Sequence, residues 1–441
     1  MKEKILKKLN FGNVKKNVSW ILFQNVYSML LSLIFTGIIA RYYGTEGYGI
    51  INFCSSFVAL FSFIAIFGTN HIIVNDLVEK KNDVGKVLGS NLFIRIILAV
   101  LALIISQTIA LLMYDKVTNI VILLFSINTI ISASDVIAYY AQAKIENKYI
   151  SIAKVISVTV FSVLKLLAVI FKVNITMYVI TYIIENIVYT ILLIVSYKKI
   201  KKEEVIKWSI DKEYIFKLLQ RGKYFALSAL MVTIYMRIDQ VMIGTFFSNK
   251  SMVGIYSAAV RISEIWTFVP ISVITSFKPI VISSKDVDEK GYINNLQKLY
   301  NIVSLICLVF VIGIIVFGKL GIYILYGKDF MDAYLPLLIL VISVWIGSLG
   351  NVHYIWITCE KKEKYSLVYS TVGCVTNIIL NLLLIPKYGL IGAAIATLVS
   401  QISSNILSFL LIKDARIISY MLLKSLNPIY GIKGLLNNKE K

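Results

Sequence analysis

Long apolar runs separated by short polar segments dominate the pattern of this chain. A helix that spans a bilayer needs about 20 mostly apolar residues, and the chain offers about twelve such stretches. In lipid these stretches must be helices, because a helix satisfies its own backbone hydrogen bonds. The pattern therefore predicts an all-α polytopic membrane protein with about 12 transmembrane helices. The predicted spans are 18–40, 48–69, 88–113, 117–140, 150–171, 175–196, 224–247, 254–282, 299–326, 334–358, 365–385 and 389–412.

The polar segments between these spans alternate in charge. If the N-terminus is placed inside, the predicted inner segments hold 32 lysines and arginines and the predicted outer loops hold six. Cytoplasmic loops of membrane proteins carry such an excess of basic residues. The alternation predicts that both termini are cytoplasmic. The predicted outer loops are also short, which excludes a large extracytoplasmic domain.

One long inner segment, 197–223, divides the predicted spans into two groups of six. We predict an N-terminal six-helix lobe with a basic N-terminus and central loop (1–210), a C-terminal six-helix lobe (211–412) and a basic, interfacial tail (413–441). The central segment is expected to include an interfacial amphipathic helix, with Trp208 at headgroup depth. Short similar segments at 47–50 and 252–255 are consistent with duplication of a six-span unit.

Composition narrows the functional class. Hydrophobic residues make up 58 % of the chain and charged residues 16 %, too few charges to cover the apolar surface of a soluble protein. The net charge of +21 does not indicate nucleic-acid binding, because the basic residues occur in short runs between apolar stretches rather than on one solvated face. The four cysteines and two histidines have no metal-ligand spacing, so we predict neither a metal nor a cofactor.

Several charged residues fall inside the predicted spans, where each costs about 2.5–3.5 kcal/mol on insertion scales and usually faces a cavity. Guanidinium groups match phosphate oxygens, whereas membrane carboxylates can take up protons or cations. Pairing between helices is the alternative role, and we expect it, or snorkelling, for Lys154, Asp135 and Lys278. The candidates for a cationic substrate cavity are Arg237, Arg261, Arg95 and Lys165, and the candidates for coupling or charge pairing are Asp239, Glu264 and Glu185.

Two prolines interrupt the eighth predicted span. Pro270 lies inside it and Pro279 lies near its end. Proline removes a helix hydrogen bond and kinks the helix. Both are therefore candidate hinge residues next to Arg261, although a purely structural kink is an equal alternative.

Three blocks of sequence resemble Wzx-type polysaccharide repeat-unit flippases. The blocks are 16–20 with 39–49 (KNVSW and IARYYGTEGYG), 235–244 with 253–262 (YMRIDQVMIG and VGIYSAAVRI), and 381–397 (NLLLIPKYGLIGAAIAT). They extend over essentially the whole chain, and the family belongs to the multidrug/oligosaccharidyl-lipid/polysaccharide exporter superfamily. The resemblance implies two six-helix lobes around a central cationic cavity, and alternating access in a bacterial cytoplasmic membrane. It also implies undecaprenyl-diphosphate-linked oligosaccharide as the substrate.

Two other functions remain open at this point. A drug or small-molecule exporter would share the fold, but the excess of basic over acidic residues inside the spans disfavours a cationic substrate. A polysaccharide polymerase would place catalysis in a large outer loop, so we predict that the chain is not an enzyme. The expected partners are the lipid-linked oligosaccharide, membrane lipids and, within the same pathway, a polysaccharide polymerase and a chain-length regulator.

Overall fold

The protein is an assembly of helices joined by short turns, and the prediction of an all-α membrane protein is confirmed. The computed structural model describes residues 11–79, 83–247, 249–285, 288–362 and 364–436, and these ranges contain no β-strand. The predicted basic N-terminus up to residue 10 and the end of the predicted tail, 437–441, lie outside the described residues. The first helices are α1 Phe11–Ile66, α2 Thr69–Glu79, α3 Val84–Met113, α4 Lys116–Ile131, α5 Val136–Ala143, α6 Asn147–Ile170, α7 Ile175–Lys201 and α8 Lys212–Phe246. The later helices are α9 Ser251–Glu264, α10 Phe268–Lys285, α11 Glu289–Leu325, α12 Tyr334–Cys359, α13 Lys364–Ile402, α14 Ser408–Leu411, α15 Arg416–Ser425 and α16 Pro428–Leu436.

Within the described ranges, ten helical segments are long and apolar enough to cross a membrane. Two of them, Ser19–Ile66 and Lys364–Leu411, contain 48 residues each, far more than the roughly 20 that one crossing needs. Each is broken at a glycine with positive φ, 68° at Gly44 and 55° at Gly389, a conformation that favours glycine. Each long segment therefore covers two of the predicted spans, and the count of twelve crossings stays a prediction.

Contacts between residues divide the chain into two compact units. Of the described residues, the first unit contains those up to Tyr43 and within Cys54–Leu230, and the second contains Gly44–Phe53 and those from Met231 onward. The change from one unit to the other falls inside α8 rather than before it. The division at 210 and 211 that the sequence suggested stays a prediction.

A short piece of α1 packs closely against α9 within the second unit. A Cβ atom added to Gly49 would lie 1.8 Å from the carbonyl oxygen of Lys250, and one added to Gly254 would lie 2.0 Å from the carbonyl oxygen of Thr45. Small residues let the backbones of membrane helices approach in this way. The two similar segments noted in the sequence, 47–50 and 252–255, thus contribute the glycines of one helix crossing.

The connection between α7 and α8 differs from the prediction. The sequence predicted an amphipathic helix within 197–223; residues 202–211, which include Trp208, are not helical, whereas 212–223 form the first turns of α8 with one face buried. The interfacial position of Trp208 stays a prediction. This segment lies along the start of α3, where the Asp211 amide donates to Ser90 Oγ at 2.9 Å. The Trp208 indole donates to the Tyr197 hydroxyl at 2.8 Å. Specific hydrogen bonds to α3 and α7 therefore replace the helical bonds that the segment would otherwise form.

A buried carboxylate holds the start of α8 in the first unit. Asp76 on α2 is 2 % exposed and accepts hydrogen bonds from Arg221 Nη1 at 2.9 and 3.0 Å and from the Tyr214 hydroxyl at 2.9 Å. Since Arg221 remains about half exposed, its contribution is smaller than that of a fully buried pair.

We expect Arg221→Ala to lower the free energy of unfolding by about 1–2 kcal/mol, because it leaves the buried Asp76 with one partner fewer. Thermal unfolding of the purified protein in detergent would measure the change. Lys217→Ala is the matched control, since Lys217 is an exposed basic residue of the same helix that pairs with the exposed Glu213. An Arg221→Ala midpoint equal to that of the control would contradict the expectation.

Pro270 coincides with a break between two helices of the second unit. Helix α9 ends at Glu264 and α10 begins at Phe268. The proline ring clashes with the carbonyl of the fourth residue before it, which here is Trp266, inside the break. By contrast, Pro279 lies inside α10, and the helix continues through it. A hinge role for either proline stays a prediction.

The described part of the tail forms α15 and α16. In α15, Ile418 and Leu422 are fully buried in the core of the second unit, whereas Ile417, Tyr420 and Leu423 are exposed. An exposed apolar stripe beside a packed one agrees with a surface helix. The predicted location of the tail at the membrane interface stays a prediction.

Candidate functional site

Charged and polar residues of the predicted spans form three clusters in the described part of the chain. We call them the arginine cluster and the Asp239 pocket, both in the second unit, and the first-unit cavity. The candidates Arg237, Arg261, Asp239 and Glu264 lie in the second unit, and Arg95, Lys165 and Glu185 lie in the first.

The arginine cluster consists of Arg237 on α8 with Arg261 and Glu264 on α9. The last two are three residues apart, a spacing that places side chains on one face of a helix. The Glu264 carboxylate interacts electrostatically with both guanidinium groups. Arg261 is exposed and Arg237 is partly exposed. With two positive charges and one negative charge, this cluster favours an anionic group.

The Asp239 pocket lies on another face of α8, because residues 237 and 239 are about 200° apart around a helix. Asp239 is 4 % exposed. Its carboxylate accepts hydrogen bonds from the Tyr256 hydroxyl of α9 at 2.8 Å and from the Asn381 amide of α13 at 2.5 Å. The Thr397 hydroxyl of α13 donates to it as well.

These partners of Asp239 are neutral, and so is Asn377, whose side chain also interacts with the carboxylate. Among the residues that the structure describes, no lysine or arginine forms an ion pair with it. The side-chain oxygen of Asn381 is buried and has no hydrogen-bond partner in the described ranges. A buried carboxylate without a basic partner is stabilised when it takes up a proton or a cation.

The first-unit cavity has a volume of about 280 Å³. Arg95 on α3 is 3 % exposed, and its Nε and Nη2 atoms donate to Thr69 Oγ1 at 3.1 and 2.9 Å. Its Nη2 also donates to the side chain of Asn70, and its guanidinium lies 5.1 Å from the centre of the Tyr139 ring. The lining residues are Ser62, Ala65, Ile66, Arg95, Asn128, Thr129, Ser132, Ala133, Asp135 and Tyr139.

Two further charges lie near this cavity. Lys154 Nζ is 3.4 Å from Glu185 Oε1, an ion pair between α6 and α7, and lies 4.9 Å from the centre of the Tyr189 ring. Asp135 interacts electrostatically with both Arg95 and Lys154. Lys165 is elsewhere on α6, 5 % exposed and 4.2 Å from the centre of the Phe161 ring.

Sequence reasoning selected charged residues and so missed the neutral members of these clusters. Tyr256, Asn381 and Thr397 were not singled out, although Asn377 and Asn381 are four residues apart in an apolar span and share a helix face. That spacing was a usable signal. For Tyr256 and Thr397 the residue type gave no such signal, although both fall inside the blocks that resemble the flippase family.

Comparisons with known proteins give one family and several relatives. The family model described as "Polysaccharide biosynthesis protein" matches residues 14–285. The probable flippase AglR of Haloferax volcanii is 31 % identical over 193 residues, which cover 42 % of this chain and 40 % of AglR. An uncharacterized membrane protein, MJ1375 of Methanocaldococcus jannaschii, is 26 % identical over 422 residues, which cover 88 % of this chain and 95 % of that protein. The match to AglR thus spans less than half of that relative.

Solved structures with the same fold include transporters of the MOP superfamily. An inward-facing multidrug resistance transporter of the MATE family matches with a TM-score of 0.73 and 15 % identity, covering 89 % of this chain and 95 % of that one. The lipid II flippase MurJ matches with a TM-score of 0.68 and 15 % identity, covering 95 % of both chains. At such low identity these matches establish the fold alone.

Proposed function

Because this chain belongs to the polysaccharide biosynthesis protein family, we propose that it is a flippase that moves lipid-linked oligosaccharides across the membrane. AglR, which is similar to part of this chain, is named a probable flippase, and MurJ, which has the same fold, is named a lipid II flippase. Neither name describes catalysis, which supports a transporter rather than an enzyme. More specifically, we propose that its substrates are undecaprenyl-diphosphate-linked repeat units and that it lies in a bacterial cytoplasmic membrane. Its proposed partners are a polymerase and a chain-length regulator.

The arginine cluster is the structural observation that best supports this proposal. A lipid-linked oligosaccharide joins its sugars to its lipid through phosphate, and two guanidinium groups inside a membrane protein offer the donors that phosphate oxygens accept. Arg237 and Arg261 are at least partly exposed, so both remain accessible to a substrate. Glu264 beside them limits their mutual repulsion when no substrate is bound.

The Asp239 pocket supports a coupling role within the same proposal. A carboxylate surrounded by neutral donors gains a proton or a cation without losing an ion pair, and either would change the charge on α8. Because Arg237 lies on the same helix, a shift of α8 would also move a guanidinium of the arginine cluster. We therefore propose that uptake and release at Asp239 accompany alternating access.

A drug exporter is the second candidate, since the MATE transporter has the same fold. The arginine cluster disfavours this candidate for cationic drugs, because its net charge is positive.

We expect Arg237→Ala to slow flipping by about 10- to 100-fold, the loss that follows when a charge-assisted hydrogen bond is removed. The protein would be reconstituted into vesicles with a fluorescent oligosaccharide on undecaprenyl diphosphate. The measurement is the rate at which the label becomes accessible to an impermeant quencher. Lys319→Ala is the matched control, an exposed basic residue of α11 outside the three clusters.

A flipping rate equal to that of vesicles without protein would overturn the proposal that this chain moves oligosaccharides linked to undecaprenyl diphosphate. Efflux of a cationic dye from the same vesicles would then favour the drug exporter. Wild-type flipping by Arg237→Ala and Arg261→Ala together would overturn the assignment of the arginine cluster while leaving the flippase function intact.

A further inference from the structure

The first-unit cavity presents mainly hydrogen-bond acceptors. The hydroxyl protons of three lining residues are already donated to backbone carbonyls: Ser62 to Val58 at 3.1 Å, Thr129 to Phe125 at 3.3 Å and Ser132 to Asn128 at 3.0 Å. A hydroxyl whose proton is committed in this way can only accept further hydrogen bonds.

Asp135 adds a carboxylate to this acceptor surface. It ends the short 3₁₀ turn Ser132–Asp135 between α4 and α5 and lines the cavity. No described residue donates a hydrogen bond to it or forms an ion pair with it. Arg95, Lys154, Tyr139 and Tyr189 act on it only electrostatically. An ionised carboxylate accepts about four hydrogen bonds, so this one needs donors from a ligand or from water.

The ligand that satisfies this surface must be rich in donors, which leaves a cation or a polyhydroxyl compound. The charges decide against the cation. Arg95 lines the cavity and Lys154 lies near it, so Asp135 and Glu185 are already balanced by two positive charges, and a further cation would be repelled. A neutral ligand with several hydroxyl groups avoids this repulsion. Arg95 and Asn128 also carry N–H groups from which its oxygens can accept.

The volume limits the ligand to a small molecule. Pockets for drug-sized ligands measure about 300–1,000 Å³, and this cavity of about 280 Å³ lies just below that range. Tyr139 belongs to the lining, so part of the wall is aromatic.

From these observations we infer that the first-unit cavity is a sugar-binding subsite, which takes one neutral sugar ring of the transported oligosaccharide. Asp135 and Thr129 accept hydrogen bonds from the sugar hydroxyls. This inference rests on the proposed function, because it assigns one part of the proposed substrate to one cavity. Arg95, which the sequence suggested for phosphate binding, would then contact sugar hydroxyls.

Saturation-transfer NMR on the intact protein in lipid nanodiscs would test the subsite, since the method detects weak binding. The probes are glucose, galactose, mannose and N-acetylglucosamine, each added alone. We expect at least one of them to receive saturation, and Asp135→Asn to weaken its binding about tenfold. Thr129→Val should weaken binding less, since it removes a neutral acceptor. Thr108→Val is the matched control, because Thr108 is an exposed threonine that bonds to its own helix.

Three results would overturn the inference. They are no transfer of saturation to any sugar, equal sugar binding by wild type and Asp135→Asn, and binding of tetramethylammonium, instead of a sugar, in the cavity. The flipping assay separates this inference from the proposed function. Flipping without sugar binding would reject the subsite alone, and sugar binding without flipping would reject the flippase alone. Circular dichroism and gel filtration of each variant would show that it folds.

Discussion

Gly254→Ala is expected to remove most of the folded protein from the membrane. The added Cβ would lie 2.0 Å from the Thr45 carbonyl oxygen and 3.0 Å from the Gly49 nitrogen, so backbone rather than a flexible side chain obstructs it. Either α9 or the Gly44–Phe53 segment of α1 must shift, and Tyr48 on that segment packs 5.9 Å from the rings of both Tyr326 and Phe330. We expect a cost above about 3 kcal/mol, beyond the usual range for overpacking.

The measurements for this prediction are the yield of monodisperse protein and its thermal midpoint in detergent. Gly313→Ala is the matched control, since a Cβ added to Gly313 on α11 meets no atom within 4 Å. Alanine is the better helix former by about 0.8–1.0 kcal/mol, so the control should unfold at the wild-type temperature or above it. Equal midpoints for both variants would show that α1 and α9 do not cross as the structure describes.

Asp239→Asn is expected to leave the fold intact and to lower flipping by about tenfold or more, equivalent to ~1.4 kcal/mol in the barrier. Asparagine has the size of aspartate and can still bond to Tyr256 and Thr397, whose hydroxyls can accept as well as donate. It cannot gain or lose a proton, however, and it attracts a cation far less. The response of the flipping rate to an imposed proton or sodium gradient should therefore disappear.

The control for this second prediction is Asp332→Asn, which changes an exposed carboxylate of the second unit. Asp239→Ala is the structural comparison, because it leaves the buried Tyr256 and Asn381 and the half-buried Thr397 without their acceptor and should lower the thermal midpoint as well. Wild-type flipping by Asp239→Asn, with an unchanged response to both gradients, would exclude Asp239 as the coupling residue.

The two clusters of the second unit differ in what the sequence could reveal about them. Arg237, Asp239, Arg261 and Glu264 stand out because a charge inside an apolar span is costly wherever the helix packs. That cost depends on the local sequence alone, so all four could be selected. Their division into an exposed arginine cluster and a closed Asp239 pocket depends on which helices face each side of α8.

Asp135 shows that a predicted span does not determine what surrounds the residues near its ends. Its place near a predicted inner boundary suggested snorkelling or interhelical pairing, whereas the structure places it in the lining of a cavity. The reason is the 3₁₀ turn Ser132–Asp135, which separates α4 from α5 without a proline or glycine to mark the break. Lys154, by contrast, pairs with Glu185 between helices as expected.

The amino-acid sequence determined the all-helical class, the apolar segments that cross the membrane and the sites of several breaks. Lipid leaves an apolar segment no other way to satisfy its backbone, and proline and glycine act on their own helix. Only the tertiary structure decided the partners of Asp239, the acceptor-lined cavity beside Asp135 and the non-helical course of 202–211. Each of these depends on contacts between residues far apart in the chain, and such contacts arise only when particular helices pack together.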